Sequence, residues 1–458
     1  MAIATVSPVT GEVLKSFTEL TPDELEDKLA RAAAAADKYR LTSIDDRAKW
    51  LNQAAENLGK DTDSVSELIT TEMGKPYRSA QEEVAKCIRG LRFYAAQGAA
   101  FLTPQPGDAA AVGAQQTFVS YQPIGVVLAV MPWNLPLWQA MRFAAPALTA
   151  GNVGILKHAS NVPQTALYME QLFREAGFPD DVFQTLLISS GRVEQVLRDH
   201  RVKAATLTGS EPAGRSVAGI AGDEIKKVVL ELGGSDPFIV MPSTDLERAS
   251  DVAVRARTLN NGQSCINGKR FFIHEDIYEP FLEKFVAKMG ALVVGDPMDP
   301  DTDIGPLATE SGRDEVAAYV DDAVGKGATA RVGGDRPDRP GWFYPPTVLT
   351  EVPTDARMYH EEVFGPVAQV FRVASLEEAL QLTNAHPYGL GSNLWSEDQA
   401  ERDLFIRDVQ SGMAFINGNT TSYPEIPFGG VKLSGYGREL SDLGMREFMN
   451  AKTVWVGA

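Results

Sequence analysis

A regular alternation of short apolar runs and amphipathic segments, between residues 124 and 232, constrains the fold more than any other feature of this chain. Strands are predicted at 124–131, 153–157, 183–188, 203–207 and 227–232, with helices at 163–176, 191–199 and 211–221. Such an alternation predicts a parallel sheet wrapped by helices. The fold class is therefore α/β, and the carboxyl ends of the strands are where a ligand is expected.

The segments on either side of this alternation have a different character. The first hundred residues are predicted to be helical, and Thr21, Pro22 and Glu24 form a helix-start signal. Further helices are predicted at 43–58, 64–73 and 78–100, a strand at 115–121, a second α/β block from about 233 to 432, and a β-prone segment at 453–456.

Composition excludes several classes of function. The formal net charge is −18, so a nucleic-acid partner is not expected. No signal-peptide pattern opens the chain and no apolar run is long enough to span a bilayer, so we expect no membrane association. The chain has 2 cysteines and 5 scattered histidines, which predicts a reducing, cytoplasmic setting without a metal site.

Glu231 and Cys265 are the strongest candidates for chemistry. Cys265 lies in the polar, glycine-punctuated stretch 261–265, where a structural thiol is not expected, whereas Cys87 lies among apolar residues of a predicted helix. Glu231 ends a predicted strand and precedes two glycines. A lone thiol with a possible base elsewhere in the fold indicates a nucleophilic cysteine and a thioester intermediate.

Three further segments favour a dinucleotide site but also have plainer interpretations. The turn 208–214 would present backbone N–H groups to a pyrophosphate, although a simple strand-to-helix turn explains it equally well. Lys157 and Ser160 follow a strand and suit a 2′-phosphate, or are an exposed lysine and a helix cap. Asn134 either donates to an oxyanion or is a turn residue before Pro136.

In combination these segments resemble the aldehyde dehydrogenase family along essentially the whole chain, and within it the shorter bacterial NAD(P)-dependent succinate-semialdehyde dehydrogenases. The resemblance is carried, in order, by residues 131–134, Lys157, 209–214, 231–234, 262–265, 362–366 and 427–430. It implies a Rossmann-type cofactor domain, an α/β catalytic domain and a small β oligomerisation element.

The resemblance also implies roles for individual residues. Cys265 would be the nucleophile, Asn134 and the Cys265 N–H would hold the oxyanion, and Glu231 would be the general base for hydrolysis. The residues implied in cofactor binding are Trp133, Lys157, Ser160, Gly209, Ser210, Gly214, Leu232, Glu362 and Phe364. The residues implied in substrate binding are Arg142, Trp138, Ser264 and Ser422, with Arg142 matching the arginine that binds the distal carboxylate.

The chain departs from the family pattern at several positions. Ser160 replaces the glutamate usual in NAD-dependent members, so NADP is the expected cofactor and NAD a weaker one. His158 replaces a proline, with no consequence that the sequence reveals. Asn267 replaces the second cysteine of redox-switched members, and Leu259 replaces a second substrate arginine. An exposed helix-surface position for Arg142 remains an alternative.

The expected function is NADP-preferring oxidation of succinate semialdehyde to succinate. The alternatives are a broad-specificity aliphatic or aromatic aldehyde dehydrogenase and an inactive relative that acts as a scaffold or binding protein. A CoA-acylating relative is disfavoured by Glu231, and a zinc alcohol dehydrogenase by the few cysteines and histidines.

The resemblance further implies domain boundaries and an oligomer. The cofactor domain is expected at 1–106 and 124–232, the catalytic domain at 233–433, and the oligomerisation element at 107–123 and 434–458. That element would complete a sheet with a partner subunit, which gives a homodimer or a dimer of dimers.

Overall fold

The computed structural model describes residues 3–457, which fold around two helix-covered sheets. The helices are α1 Pro22–Tyr39, α2 Ile44–Lys60, α3 Thr62–Met73, α4 Tyr77–Phe101, α5 Pro136–Ala150, α6 Pro163–Glu175, α7 Val193–Arg198, α8 Glu211–Asp223, α9 Leu246–Thr258, α10 Tyr278–Gly290, α11 Glu310–Gly325, α12 Arg357–His360, α13 Leu376–Asn384, α14 Gln399–Asp408 and α15 Ser441–Arg446. None of the helices in this part of the chain is both long and apolar enough to cross a membrane.

The strands alternate with these helices through most of the chain. They are β1 Ile3–Val6, β2 Val13–Phe17, β3 Gln105–Pro106, β4 Gln116–Pro123, β5 Val126–Met131, β6 Val153–His158, β7 Phe183–Thr185, β8 Val202–Thr208, β9 Lys227–Glu231, β10 Asp236–Val240, β11 Gly268–His274, β12 Thr329–Val332, β13 Thr347–Thr350, β14 Val367–Val373, β15 Tyr388–Gly389, β16 Asn393–Trp395, β17 Phe415–Ile416, β18 Val431–Lys432, β19 Gly435–Tyr436 and β20 Met449–Val456.

The first large sheet has the strand order β19-β9-β8-β5-β6-β7, and all its neighbours are parallel except β19 against β9. The second has the order β12-β13-β14-β11-β10-β16-β17, with β12 as its antiparallel edge. The predicted α/β class, with parallel strands and covering helices, is confirmed. Strands buried on both faces explain the continuous apolar runs of β5 and β6.

The N-terminal prediction was right for the helices and wrong for the first twenty residues. Thr21 and Glu24 form the expected capping box, in which Thr21 Oγ1 accepts from the Glu24 N–H at 3.2 Å and the Glu24 carboxylate accepts from the Thr21 N–H at 2.7 Å. Before it, β1 and β2 form an antiparallel hairpin that was not predicted. Most of β2 is exposed, so it lacks the apolar alternation that identifies a half-buried strand.

A small antiparallel sheet with the order β20-β4-β3 stands apart from the two large ones. It joins the segments predicted as the oligomerisation element, with two differences at the boundaries. Gln105–Pro106 pairs with this small sheet, and Gly435–Tyr436 pairs with β9 of the first large sheet. The division into three domains itself stays a prediction.

Helix α5 is the element that positions the site. It starts directly after β5, and all its residues from Pro136 to Ala150 are buried between the first sheet and α4. Pro136 at its first position has no N–H to satisfy, and Gly151 ends it in a left-handed conformation with φ 95°. A helix buried on all sides holds its side chains rigidly, which suits it to carry catalytic groups.

Candidate active site

The segment that follows β9 crosses from the first sheet to the second and needs its glycines. A Cβ on Gly233 would lie 2.5 Å from Glu362 Oε2, and a Cβ on Gly234 would lie 2.7 Å from the Cys265 carbonyl oxygen. Gly234 leaves no room for a side chain against the backbone of Cys265, and Gly233 lets the Glu362 carboxylate approach closely, so the crossing segment lies between Cys265 and Glu362. The structure thus brings Glu231, Cys265 and Glu362 to one place.

The loop that precedes Cys265 has an unusual backbone. Asn260, Asn261 and Gly262 are consecutive left-handed residues, with φ 59°, 57° and 75°. A Cβ on Gly262 would lie 2.3 Å from the carbonyl carbon of Gly365, so only glycine fits there. Non-glycine residues in this conformation cost free energy and persist only where the surroundings hold them.

Side-chain amides hold that loop in place. Asn260 Nδ2 donates to the carbonyl oxygens of Asn134, at 2.7 Å, and Gln263, at 3.0 Å. Asn261 Nδ2 donates to the carbonyl oxygens of Gly74, at 3.0 Å, and Pro306, at 2.9 Å. The strained loop is therefore fastened to the start of α5, to the end of α3 and to the segment before α11.

Asn134 contacts the loop that carries Cys265. Its side chain is 3% exposed, and Nδ2 donates to the Gln263 carbonyl oxygen at 3.1 Å, two residues before Cys265. An amide nitrogen carries two hydrogens, so one remains for an oxygen beside the sulfur. The plain-turn alternative does not account for this placement.

The Cys265 thiol is neutral in the free protein. Burial raises the pKa of Cys265 to about 12, while the cations of Arg142 and Lys269 oppose that rise and the carboxylates of Glu362 and Glu231 add to it. Lys269 is fully buried and donates to the Cys265 carbonyl oxygen at 2.8 Å, and its Nζ lies 3.0 Å from Glu362 Oε1. Sequence reasoning missed Lys269, whose position in β11 resembles that of any strand lysine.

Glu231 is a buried carboxyl group without hydrogen-bond partners. It is 1% exposed, and neither of its oxygens has a hydrogen bond within residues 3–457. Burial raises the pKa of Glu231 well above its ordinary value, and the neighbouring Glu439 adds to the rise. A Cβ on Gly429 would lie 2.7 Å from Glu231 Oε1, so that glycine packs directly against the carboxyl group. A carboxyl group with free oxygens and a raised pKa suits a general base that works near neutral pH.

Arg142 is buried in α5 and forms an ion pair, and its predicted contact with the substrate stays a prediction. It is 2% exposed, so the alternative of a helix-surface arginine is wrong. Its guanidinium forms an ion pair with the buried Glu439, donates to Thr208 Oγ1 at 3.4 Å and lies 4.3 Å from the Phe428 ring centroid. Glu439 therefore already balances the guanidinium charge within the chain. Drawing Arg142 away would leave the buried Glu439 carboxylate unpaired, which costs free energy. If Arg142 binds the substrate carboxylate, its guanidinium must contact both that carboxylate and Glu439.

Of the other predicted substrate residues, Trp138 and Ser422 contact each other, whereas Ser264 lies beside Lys269. Trp138, in the first turn of α5, is 1% exposed and donates from Nε1 to Ser422 Oγ at 3.0 Å. The structure therefore brings Trp138 and Ser422 into contact. Ser264 is 1% exposed, and its carbonyl oxygen accepts from Lys269 Nζ at 3.0 Å. A substrate contact for Ser264 stays a prediction.

The turn after β8 fits a dinucleotide pyrophosphate. Ser210 is the N-cap of α8, but its side chain makes no capping hydrogen bond, so the first N–H groups of the helix remain available. A Cβ on Gly214 would lie 2.7 Å from the side chain of Leu232, so this glycine permits close packing of α8 on the segment after β9. At Gly209 an added Cβ would meet only ordinary contacts. Gly214 therefore has the packing role that a dinucleotide-binding turn requires.

The carboxyl end of β6 offers a cation for the adenosine side of a dinucleotide. Lys157 is 7% exposed, and within the described residues its ammonium group has no hydrogen bond or ion pair. Burial lowers the pKa of Lys157, an effect that Glu19 opposes. Ser160 follows three residues later and is partly exposed, with no carboxylate in the position where a 2′-phosphate would be repelled. The donors present thus fit NADP.

The nicotinamide end of the predicted cofactor site is formed by residues from both halves of the chain. The rings of Trp133 and Phe364 meet edge to face with 5.8 Å between their centroids. Glu362, two residues before Phe364, has a side chain that is 17% exposed and paired with Lys269. The predicted cofactor residues are thereby brought together, although their contacts with a dinucleotide stay predictions.

His158, which replaced an expected proline, ties β6 to the start of α5. Its Nδ1 accepts from the Ala159 N–H at 2.9 Å, so Nε2 carries the hydrogen and donates to the Pro136 carbonyl oxygen at 2.7 Å. Burial lowers the pKa of His158 to about 4, which keeps the ring neutral. The substitution therefore adds a link between the strand of the cofactor site and the helix of the catalytic site.

This combination of a partly exposed thiol, an amide donor, a buried carboxyl group and a dinucleotide turn on an α/β fold defines an aldehyde dehydrogenase. The aldehyde dehydrogenase family model matches residues 1–454, and the chain belongs to that family. The resemblance stated from the sequence is confirmed.

Individual relatives are similar over their full length. The chain is 60% identical over 456 residues to succinate-semialdehyde dehydrogenase (NADP+) 1 of Mycobacterium tuberculosis H37Rv, covering 100% of both chains. It is 59% identical to succinate-semialdehyde dehydrogenase (NADP+) of Mycobacterium leprae, again over 100% of both. A crystal structure of succinic semialdehyde dehydrogenase from Streptococcus pyogenes, solved with NADP+, has a TM-score of 0.97 and 38% identity and covers 100% of both chains.

Proposed function

We propose that this protein oxidises succinate semialdehyde to succinate with NADP+ as the preferred cofactor. The observation that carries the proposal is the convergence of Cys265, Asn134 and Glu231 at the crossing between the two sheets, next to a dinucleotide turn. The names and the full-length similarity of the mycobacterial relatives support the substrate and the cofactor. A spectrophotometric assay of NADPH formation with succinate semialdehyde and a panel of other aldehydes tests it.

The catalytic cycle follows from the placement of these groups. The Cys265 thiol gives its proton to water as Sγ forms a bond to the aldehyde carbon, and the aldehyde oxygen becomes an oxyanion held by Asn134 Nδ2 and the Cys265 N–H. When bound, the dinucleotide accepts the hydride that leaves this carbon. The carbonyl is then bonded to Sγ as a thioester. Glu231 takes a proton from water, which attacks the thioester carbon and breaks its bond to Sγ, releasing the acid.

The neutral thiol has a chemical advantage. Because the pKa of Cys265 is raised to about 12, little thiolate exists in the free protein at neutral pH. Thiolates are the form that oxidants attack, so the resting sulfur is protected until substrates arrive. Lys269 and Arg142 are the cations that favour deprotonation when the site fills.

The cofactor preference yields a prediction at Ser160. Replacing Ser160 by glutamate places a negative charge where the 2′-phosphate of NADP is expected, so repulsion should lower the NADP:NAD ratio of kcat/KM by about 10- to 100-fold. The affinities for the two dinucleotides, measured by protein fluorescence, should shift in the same direction, with weaker binding of NADP relative to NAD. Ser160→Ala is the matched control, because it removes the hydroxyl without adding charge. A wild-type protein that favoured NAD in kcat/KM would contradict the proposal.

We further propose a homodimer, or a dimer of such dimers, acting in the cytoplasm. Strand β20 is one edge of the small three-stranded sheet, and it exposes Trp455 at 54%. An exposed strand edge with an aromatic side chain suits pairing with a second copy. Light scattering should give at least twice the mass of one chain, whereas a monomer would contradict this assembly.

The broad-specificity and inactive-relative alternatives have less support. The similarity to succinate-semialdehyde enzymes covers the entire chain, and Cys265, Glu231 and Asn134 are all present in it, which supports an active enzyme. A higher kcat/KM for an uncharged aliphatic or aromatic aldehyde than for succinate semialdehyde would favour the broad-specificity alternative.

A further inference from the structure

Lys86, in the middle of α4, presents a cation without a carboxylate partner. Its Nζ donates to Ser422 Oγ at 2.6 Å and lies 4.6 Å from the ring centroid of Trp138. Within residues 3–457 it takes part in no ion pair. Glu83, one turn earlier, is already engaged by Lys75. Sequence analysis gave no role to this lysine.

Glu83 has further commitments that keep it from neutralising Lys86. Its Oε1 accepts from the N–H groups of Leu137 and Trp138, both at 2.8 Å. The carboxylate therefore accepts hydrogen bonds from backbone N–H groups that have no partner within α5, and it also pairs with Lys75. Its negative charge therefore stabilises the start of the helix that carries Trp138.

Ser422 has a hydrogen left to donate. Its hydroxyl oxygen accepts from both Lys86 Nζ and Trp138 Nε1, which fills its two acceptor positions. No acceptor for its own hydrogen is present in the described part of the chain. An ammonium group and a hydroxyl donor thus lie side by side, and no carboxylate of residues 3–457 is bonded to either. Such a pair of donors is complementary to a carboxylate.

This place lies on the catalytic side of α5. Trp138 and Arg142 are four residues apart and so share one face of the helix. The Arg142 guanidinium lies over the ring of Phe428, and the next residue, Gly429, packs against the Glu231 carboxyl group. Asn134, just before the helix, reaches the loop of the nucleophile. The unpaired donors therefore lie against the same helix, α5, as the candidate catalytic groups.

We propose that Lys86, together with Ser422, binds the distal carboxylate of the substrate and thereby sets the preference for a semialdehyde that carries an acid group. This inference rests on the proposed function. It assigns the charge recognition to α4 and to the loop of Ser422, while Arg142 remains paired with Glu439. Trp138 then provides the apolar wall that positions both donors.

The surroundings of Lys86 give the recognition a pH limit. Burial lowers the pKa of Lys86 to about 8. Arg142 from α5 and Lys75 from the preceding loop lower it further, while Cys87 and Glu83 on α4 itself raise it. The ammonium form is present below that value, so carboxylate recognition is complete at lower pH and is lost as the pH rises through about 8.

The experiment compares succinate semialdehyde with butanal, an uncharged aldehyde of the same chain length. Lys86→Met retains length and apolar contact but removes the charge. It should lower the ratio of kcat/KM for succinate semialdehyde to that for butanal by about 10- to 100-fold, mainly through KM. Lys86→Arg should restore part of the ratio. In the wild type the same ratio should fall above about pH 8, a limb that the Lys86→Met variant lacks.

Arg89 provides the matched control. It lies one turn further along α4, has a side chain that is 54% exposed and pairs with Glu425. Arg89→Gln removes a positive charge from the same helix but should leave the ratio unchanged. A binding measurement independent of turnover is the inhibition constant of succinate compared with that of butyrate, in which Lys86→Met should weaken succinate selectively.

The outcomes separate this inference from the proposed function. A wild-type protein with no preference for succinate semialdehyde over butanal overturns both. A wild-type preference that survives in Lys86→Met, in a variant with unaltered circular dichroism and Tm, overturns the Lys86 assignment alone. An equal loss with both aldehydes also overturns it, because the lysine would then only hold Trp138. A selective loss in Arg142→Met, with none in Lys86→Met, would give the carboxylate to Arg142 instead.

Discussion

Replacing Cys265 by alanine is expected to abolish aldehyde oxidation, with a loss in kcat of at least about 10,000-fold for every aldehyde tested. The methyl group cannot form the bond to the aldehyde carbon, and no other thiol can substitute, because Cys87 is fully buried within α4. NADPH formation followed by absorbance measures the effect.

The second cysteine makes the control for this experiment. Cys87→Ala removes the other thiol and should retain the reaction, at a modest cost in stability from the small cavity that it leaves. Alkylation after unfolding should label two cysteines in the wild type and one in either variant, which confirms each replacement. Undiminished turnover by Cys265→Ala would refute the catalytic mechanism as a whole.

Replacing Glu231 by glutamine should separate the two halves of the reaction. The amide preserves the shape of the side chain but cannot take a proton from water, so steady-state turnover should fall by about 100- to 10,000-fold. The first turnover does not need this base, and rapid mixing should therefore still show a burst of one NADPH per site. The expected slow step is hydrolysis of the Cys265 thioester.

The pH dependence of turnover gives a second check on Glu231. Its pKa is raised well above 4.5, so the carboxyl group is protonated at low pH and becomes an active base as the pH rises. Wild-type steady-state turnover should accordingly decline as the pH falls, and Glu231→Gln should lack that limb. Glu397→Gln, at a surface glutamate whose side chain is 60% exposed, is the control and should behave like wild type. Loss of the burst in Glu231→Gln would show instead that Glu231 acts before hydride loss.

The parts of the molecule that sequence reasoning predicted well are those with a local signal. The strands β5, β6, β8 and β9 are buried runs, so their apolar character identifies them without knowledge of their neighbours. The capping box at Thr21 is likewise contained in four residues. The hairpin of β1 and β2 has no such signal, because its stability comes from packing against α3 and α6 rather than from its own pattern.

The site was predictable in its motifs but not in its pairings. Lys269 and Glu439 touch Glu362 and Arg142 from distant parts of the chain, and no spacing along the sequence indicates those contacts. The interpretation of Arg142 was affected for the same reason, since a free and a paired arginine have the same sequence context. Lys86 was overlooked because a single lysine on an amphipathic helix is ordinarily a solvated one.

The left-handed loop before the nucleophile also affects the chemical degradation of this protein. Asn261-Gly262 is a dipeptide that, in a flexible chain, readily cyclises to a succinimide and deamidates. Here the Asn261 amide is bonded to two carbonyl oxygens and is 1% exposed, so the folded state withholds the side chain from that attack. Each excursion to the unfolded state removes this protection next to Cys265. Prolonged heating should therefore convert a reversible loss of structure into permanent chemical damage at the catalytic loop.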